Sequence, residues 1–66
     1  MTLAEFFTEN RNVSRADFAK RIGVSEPALS NYVNGKRFPR AVVLIRIEQE
    51  TDNQVTASDM AMDYYG

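Results

Sequence analysis

The sequence contains neither cysteine nor histidine. Without cysteine it can form no disulfide and no thiolate metal site, a composition typical of proteins in the reducing cytoplasm. Without histidine it lacks the commonest zinc ligand and the commonest general base near neutral pH. It also has no glycine-rich phosphate loop, and its carboxylates are scattered along the chain. We therefore expect no enzymatic activity, no metal site, no cofactor and no small-molecule ligand.

Long hydrophobic runs are missing as well. The longest run, Ala41 to Ile45, is far too short to cross a bilayer or to form the core of a signal peptide. With 66 residues, the chain is long enough for one small domain. We expect a single domain over residues 1–66 that is cytoplasmic and has no membrane partner.

Positive charge is not in excess overall, but it is concentrated in the middle of the chain. The net charge is −1 at pH 7, yet all 8 basic residues lie between Arg11 and Arg46, where only Asp17 and Glu26 oppose them. Acidic residues dominate both ends of the sequence. Such an asymmetry indicates one surface that faces a polyanion. Chance segregation of charge in a helical protein is the alternative.

Capping residues and glycines divide the chain into about five short helices. The predicted caps are Thr2 with Glu5, Ser14 with Asp17, Ser25, and Thr56 with Asp59. Gly23 and Gly35 are suited to end the second and third helices, because glycine adopts the left-handed conformation that closes a helix. Asp52-Asn53 is typical of a turn. Strand signals are weak, so we predict an all-α fold, a compact bundle of short helices.

Apolar residues at helical spacing predict the core of this bundle. The predicted core residues are Phe6, Phe7, Phe18, Ile22, Leu29, Val33, Leu44 and Ile45. In the fourth helix this assignment turns Ile45 inward, and Pro39 suits the helix's first turn. Phe38 is expected to pack back into the core. Arg46 is expected to pair with Glu50, which follows it by one helical turn.

Residues 15–35 carry the most informative pattern. Two predicted helices are joined by Gly23-Val24-Ser25, with Ala19 before the glycine and Leu29 after it. Helices that cross near a right angle need a small side chain at the contact, a glycine at the turn and an apolar residue that locks the pair. In that geometry the first turns of the second helix project outward, where they can enter a DNA major groove about 12 Å wide. The spacing therefore predicts a helix-turn-helix.

The same stretch resembles the helix-turn-helix of the lambdoid Cro and cI repressors and their XRE-like relatives. The residues that carry the resemblance are Ala19, Gly23, Val24, Ser25, Leu29, Asn34-Gly35-Lys36 and the basic stretch Arg37 to Arg40. Prophage Cro-like and YdaS-like regulators are similar to the later part of the chain, in Ile47-Glu48, Thr51, Val55-Thr56 and Asp59. The resemblance implies a lambda-repressor-like bundle, operator binding and, usually, dimerisation. Arg15 departs from the family, in which its position is often glutamine.

The resemblance also implies which residues face the bases of DNA. They are Glu26, Pro27, Ala28, Ser30 and Asn31, at the start of the second helix of the pair. Asn31 can bond an adenine edge, Ser30 can serve several bases, and Pro27 or Ala28 can touch a thymine methyl group. Glu26 can accept from a cytosine amino group, or it can simply complement the helix dipole. A merely solvated helix face is the alternative for Ser30 and Asn31.

A second set of residues is predicted to contact phosphates. It comprises Arg15, Ser25, Asn34, Lys36, Arg37 and Arg40, with Arg11 and Lys20 as further candidates. Cations beside a groove-inserted helix fix its register without reading sequence, and they supply most of the salt-dependent affinity. Tyr32 either packs at the edge of the core or lends its hydroxyl to a phosphate.

The residues predict a DNA-facing surface, and the resemblance implies a sequence-specific transcriptional regulator, a Cro-like phage or prophage repressor that binds double-stranded operator DNA as a homodimer. Met60, Met62, Tyr64 and Tyr65 make residues 52–66 a candidate dimerisation segment, with plain packing as the alternative. An antitoxin or another protein-interaction module with the same fold is the rival interpretation, because fold does not fix function. An excisionase-like protein that bends its DNA is a third.

Overall fold

Five α-helices and no strand make up the protein in the computed structural model, which describes residues 1–66. The helices are α1 (Leu3–Glu9), α2 (Arg15–Ile22), α3 (Glu26–Val33), α4 (Ala41–Glu50) and α5 (Ala57–Tyr65). The predicted all-α class and the predicted number of helices are both confirmed. No helix combines the length and the apolar character that a membrane-spanning segment needs.

Side-chain caps begin every helix except α4. Reciprocal capping boxes join Thr2 to Glu5 and Thr56 to Asp59. Ser14 Oγ accepts a hydrogen bond from the backbone N–H of Asp17 at the start of α2. Because each such cap satisfies backbone donors that the helix leaves unpaired, it stabilises the helix by about 1 kcal/mol. The caps predicted from the sequence are confirmed.

The turn between α2 and α3 is closed by a left-handed glycine. Gly23 has φ +77°, and the N–H of Val24 donates to the carbonyl oxygen of Ala19 over 2.9 Å. A residue with a Cβ atom is strained in this conformation, whereas glycine is not. After the turn, the Ser25 hydroxyl accepts from the N–H of Ala28 over 3.2 Å, as predicted for a helix with Pro27 in its first turn. This turn sets the direction in which α3 leaves α2.

One hydrophobic core holds the helices together. Its members are Leu3, Phe6, Phe7, Phe18, Ala19, Ile22, Leu29, Val33, Val43, Ile47, Val55 and Met60. The rings of Phe6, Phe7 and Phe18 contact one another, with centroids between 5.1 and 6.0 Å apart. Helix α2 packs against both α3 and α4, and α1 also contacts α3. The helix-turn-helix therefore lies on a scaffold formed by α1 and α4.

The buried face of α4 differs from the predicted one. Val43 and Ile47 lie in the core, Leu44 is half-buried, and Ile45 is 54% exposed. The assignment of Ile45 to the core is therefore wrong. Pro39 is fully buried, but it precedes Arg40, the N-cap of α4, so it does not lie in the first turn of the helix.

The predicted pairing of Arg46 with Glu50 is also wrong. Glu50 Oε1 lies 3.3 Å from Nη1 of Arg21 in α2. Arg46 instead donates from Nη1 to the carbonyl oxygen of Ile22 over 3.5 Å, and its guanidinium lies against Gly23. Arg46 and Glu50 of α4 thus both contact residues of α2. These interactions are tertiary and cannot be predicted from spacing within one helix.

The turn from α4 to α5 is built around the buried hydroxyl of Thr51. That hydroxyl donates to the carbonyl oxygen of Ile47 over 2.8 Å and accepts from the N–H of Val55 over 3.2 Å. Asp52 and Asn53 both have positive φ, so the predicted turn is confirmed. These bonds fix the turn that precedes α5.

Candidate nucleic-acid interface

Helix α3 presents one apolar face to the core and one polar face to solvent. Leu29 and Val33 are buried. Of the predicted base-facing residues, Glu26, Pro27 and Ser30 are exposed, and Ala28 and Asn31 are half-buried. The Oγ of Ser30 also accepts from Asn34 Nδ2 over 3.4 Å. The structure thus brings the base-facing residues together on the outer side of α3 and its first turns.

The polypeptide between α3 and α4 forms what we call the basic connector, residues 36–40. It begins after Gly35, which has φ +71°. The carbonyl oxygen of Asn31 accepts from the N–H of Lys36 over 2.8 Å and from the N–H of Arg37 over 3.4 Å. The connector is therefore attached directly to the predicted recognition helix.

The basic side chains of the basic connector face solvent, and its apolar side chains face the core. Lys36, Arg37 and Arg40 are exposed, whereas Phe38 is half-buried against the core and Pro39 is fully buried. The expectation that Phe38 packs against the core is confirmed. Because the two apolar side chains point inward, the cations are held at the surface beside α3. This arrangement is suited to neutralising phosphates next to an inserted helix.

Arg15 lies at the first position of α2, directly after the cap Ser14. Its guanidinium carbon lies 4.9 Å from the centroid of the Phe7 ring in α1. A cation over an aromatic face at an exposed site contributes about 0.5–1 kcal/mol, and the contact restricts the positions of a flexible side chain. Spacing along the sequence does not indicate this pair, because the two residues belong to different helices.

Ser25 and Tyr32 both stabilise the fold, whether or not they also contact DNA. The Ser25 hydroxyl is the cap of α3 and accepts from Ala28 N–H. Tyr32 is half-buried and packs against the core, and it borders a surface depression together with Arg37 and Arg40. The assignments of all base-facing and phosphate-contacting residues stay predictions.

Helix α4 differs from the other helices at its N-terminus. Its N-cap residue, Arg40, makes no side-chain capping bond. The first N–H groups of a helix have no partner within it, and together with the helix dipole they favour an anion. The last residue of the basic connector therefore adds a positive side chain at a helix end that is itself suited to phosphate.

An aromatic contact that sequence spacing does not indicate lies behind the basic connector. Phe38 contacts Tyr64 and Tyr65, with a ring-centroid distance of 5.5 Å in each case. The two tyrosines are the last residues of α5. The C-terminal helix thus reaches the segment that carries the predicted phosphate contacts.

Comparison with known proteins gives one match. The family model described as helix-turn-helix matches residues 3–55, from the start of α1 to just before α5. No curated protein and no solved structure matches the chain significantly.

Proposed function

Since this chain belongs to the helix-turn-helix family and is a DNA-binding regulator of the XRE-like class, we propose that it is a Cro-like phage or prophage repressor. In this proposal it binds operator DNA in a sequence-specific manner, as a homodimer. One observation carries the proposal: the polar face of α3 lies beside a basic connector whose cations are exposed while its apolar residues are buried. A module that binds only proteins has no need of that arrangement.

We assign base readout to the start of α3. Asn31 has the donor and acceptor pair that matches an adenine edge, and Glu26 can accept from a cytosine amino group. Ser30, Pro27 and Ala28 complete the surface that enters the major groove. What supports the assignment is their position on the outer face of a helix whose opposite face is locked by Leu29 and Val33.

We assign phosphate binding to residues at both ends of α3 and at the start of α2. Ser25 is the N-cap of α3, Asn34 is its C-cap and is followed by the basic connector, and Arg15 is the first residue of α2. About four phosphates neutralised per subunit give a dimer a log–log salt slope of roughly −7.

Dimerisation is proposed because the fold leaves apolar side chains unburied. In the candidate segment 52–66, Met62 is exposed, whereas Met60 lies in the core and is not available for an interface. Val42 is 46% exposed, Ile45 54% and Met62 74%. A domain of this size has few apolar residues to leave in water. The buried core of an interface is more apolar than the rest of a protein surface and is enriched in methionine. A dimer on a pseudo-palindromic site places its half-sites one helical turn, about 10 bp, apart.

The proposal is tested by selecting binding sites from a random duplex pool and titrating the selected duplex at several salt concentrations. We expect a palindromic consensus, saturable binding and a steep salt slope. Binding that does not saturate, or a slope near zero, would favour the rival interpretation of an antitoxin or protein-interaction module. Selected sites without two-fold symmetry would contradict the dimer alone.

A further inference from the structure

The last turn of α5 and the basic connector form one aromatic cluster, which we define as Phe38, Tyr64 and Tyr65. Both tyrosine rings lie 5.5 Å from the ring of Phe38, and they lie 4.9 Å from each other in an edge-to-face arrangement. Edge-to-face and offset pairs at such distances are attractive beyond the area they bury. The cluster joins residues that are far apart in sequence but adjacent in the fold.

The position of Phe38 makes this cluster relevant to binding. Phe38 directly follows Arg37 and is two residues before Arg40. At one end, the connector is attached to α3 by the carbonyl oxygen of Asn31. At the other, the carbonyl oxygen of Arg40 accepts the first bonds of α4. Between these attachments the connector is held by its own apolar side chains, and the tyrosines cover one side of Phe38.

From this geometry we infer that Tyr64 and Tyr65 are positioning residues for the phosphate-contacting cations of the basic connector. They do not touch DNA in this inference. By packing on Phe38 they order the connector in the free protein, so that less ordering is needed when DNA binds. The inference rests on the proposed phosphate role of Arg37 and Arg40.

Two observations distinguish these tyrosines from residues that build the core or the matched family segment. Tyr64 is 40% exposed and Tyr65 is 73% exposed, so neither is needed to fill the core. The family match ends at residue 55, and both tyrosines lie beyond it. The positioning function therefore belongs to the C-terminal helix of this chain and adds to what the matched segment provides.

The test compares Y64L/Y65L, Y64F/Y65F and S58A in the full chain. Ser58 serves as the control because it is an exposed residue of α5 outside both the aromatic cluster and the apolar surface proposed for dimerisation. Affinity is measured on a duplex that carries one half-site, so that dimerisation does not contribute, and on a duplex of random sequence. Thermal unfolding of each variant verifies that it is folded. Should the double leucine variant fail to fold, Y65L alone replaces it.

We expect the leucine variant to bind both duplexes about threefold to tenfold more weakly, with their affinity ratio unchanged. The phenylalanine variant, which keeps the rings, is expected to bind like the wild type, and so is S58A. The leucine substitutions are expected to have no further effect in a chain that already carries R37A/R40A, because the cations they position are gone. A merely structural defect would persist in that background.

Four outcomes overturn the inference. Wild-type binding by the leucine variant would show that the cluster positions nothing. An equal loss in the phenylalanine variant would show that the hydroxyl groups contact DNA directly. An undiminished effect of the leucine substitutions in the R37A/R40A background would show that the tyrosines act elsewhere. If R37A/R40A itself binds like the wild type, the proposed phosphate role fails, and the inference fails with it.

Discussion

The guanidinium of Arg15 lies over the ring of Phe7, 4.9 Å from its centroid. Because α1 thereby holds the first side chain of α2, we expect Arg15 to be positioned for a phosphate before DNA arrives. Arg15→Ala is predicted to weaken binding to all duplexes alike and to reduce the salt slope by about 1 per subunit. Fluorescence titration at several salt concentrations measures both quantities.

Arg21→Ala is the matched control for that prediction. Arg21 is a second arginine of α2, but its guanidinium pairs with Glu50. An exposed ion pair contributes about 0–1 kcal/mol, so a small loss of stability is expected. The salt slope is expected to stay unchanged. A slope that drops equally in both variants would mean that the effect reports net charge and not a contact of Arg15.

Asn31 is predicted to contribute to the preference for a particular base pair, and Lys36 to the affinity for DNA of any sequence. Asn31→Ala removes only the side chain, and the carbonyl oxygen that holds the basic connector remains. We expect it to cost about 1–3 kcal/mol on the preferred duplex and to relax the preference at one base pair. Lys36→Ala is expected to weaken all sequences equally. Titration of duplexes that differ at single positions separates the two, and a uniform loss in Asn31→Ala would refute base readout by Asn31.

Ile45 is predicted to matter for association and not for folding. Because it is 54% exposed, Ile45→Asn is expected to change the free energy of unfolding by no more than about 0.5 kcal/mol, as for other surface substitutions. The variant is expected to sediment as a monomer. Ile47→Ala, at a fully buried position of the same helix, provides the contrast and is expected to cost about 2–5 kcal/mol. A stable dimer of Ile45→Asn would exclude this face as the interface.

Acid is predicted to destabilise the fold through two helix caps. Hydrogen bonds from the backbone N–H and then the side chain of Thr2 hold the pKa of Glu5 below its ordinary value of 4.5. The N-terminal ammonium, and then the backbone of Thr56, hold the pKa of Asp59 below its ordinary value of 3.8. Groups with lowered pKa values in the folded state stabilise it above their ordinary values, and this stability is lost as the pH falls through the folded pKa. Thermal midpoints are expected to decline only below about pH 5.

Glu5→Gln isolates the contribution of one cap to this pH dependence. The glutamine oxygen can still accept from the N–H of Thr2, as in other capping boxes, but it does not titrate. The variant is therefore expected to lose part of the decline in thermal midpoint at acid pH. A decline as steep as that of the wild type would show that the charge of Glu5 is not involved.

Local chemistry was sufficient to predict most of the fold. Thr2, Ser14, Ser25 and Thr56 each cap the helix that the sequence assigns to them. Gly23 adopts the left-handed conformation that ends α2. Such interactions join residues that are close in sequence, so they can be predicted without information about tertiary contacts.

The orientation of α4 required tertiary information. The segment Ala41 to Ile45 is apolar on every side, so its spacing does not select an inner face. Packing on α2 selects Val43 and leaves Ile45 in solvent. The partner of Glu50 was hidden for the same reason, because Arg21 approaches from another helix.

Some parts of the candidate site could be predicted from local sequence, whereas others depend on tertiary contacts. The exposed face of α3 and the cations of the basic connector could be placed from the helix-turn-helix pattern. The aromatic supports could not, since Phe7 under Arg15 and Tyr64 against Phe38 are brought together only by the folded bundle. The sequence thus locates the groups predicted to contact DNA more readily than the residues that position them.

The contact of Arg46 with Gly23 has a consequence for protein engineering. Its guanidinium lies against the glycine of the turn and donates to the carbonyl oxygen of Ile22. A side chain of α4 thus supports the turn between α2 and α3. The orientation of α3 relative to α2 therefore depends on α4 as well as on residues 15–35. A graft of residues 15–35 alone would lose this contact, so a graft that keeps the geometry of the turn should include α4.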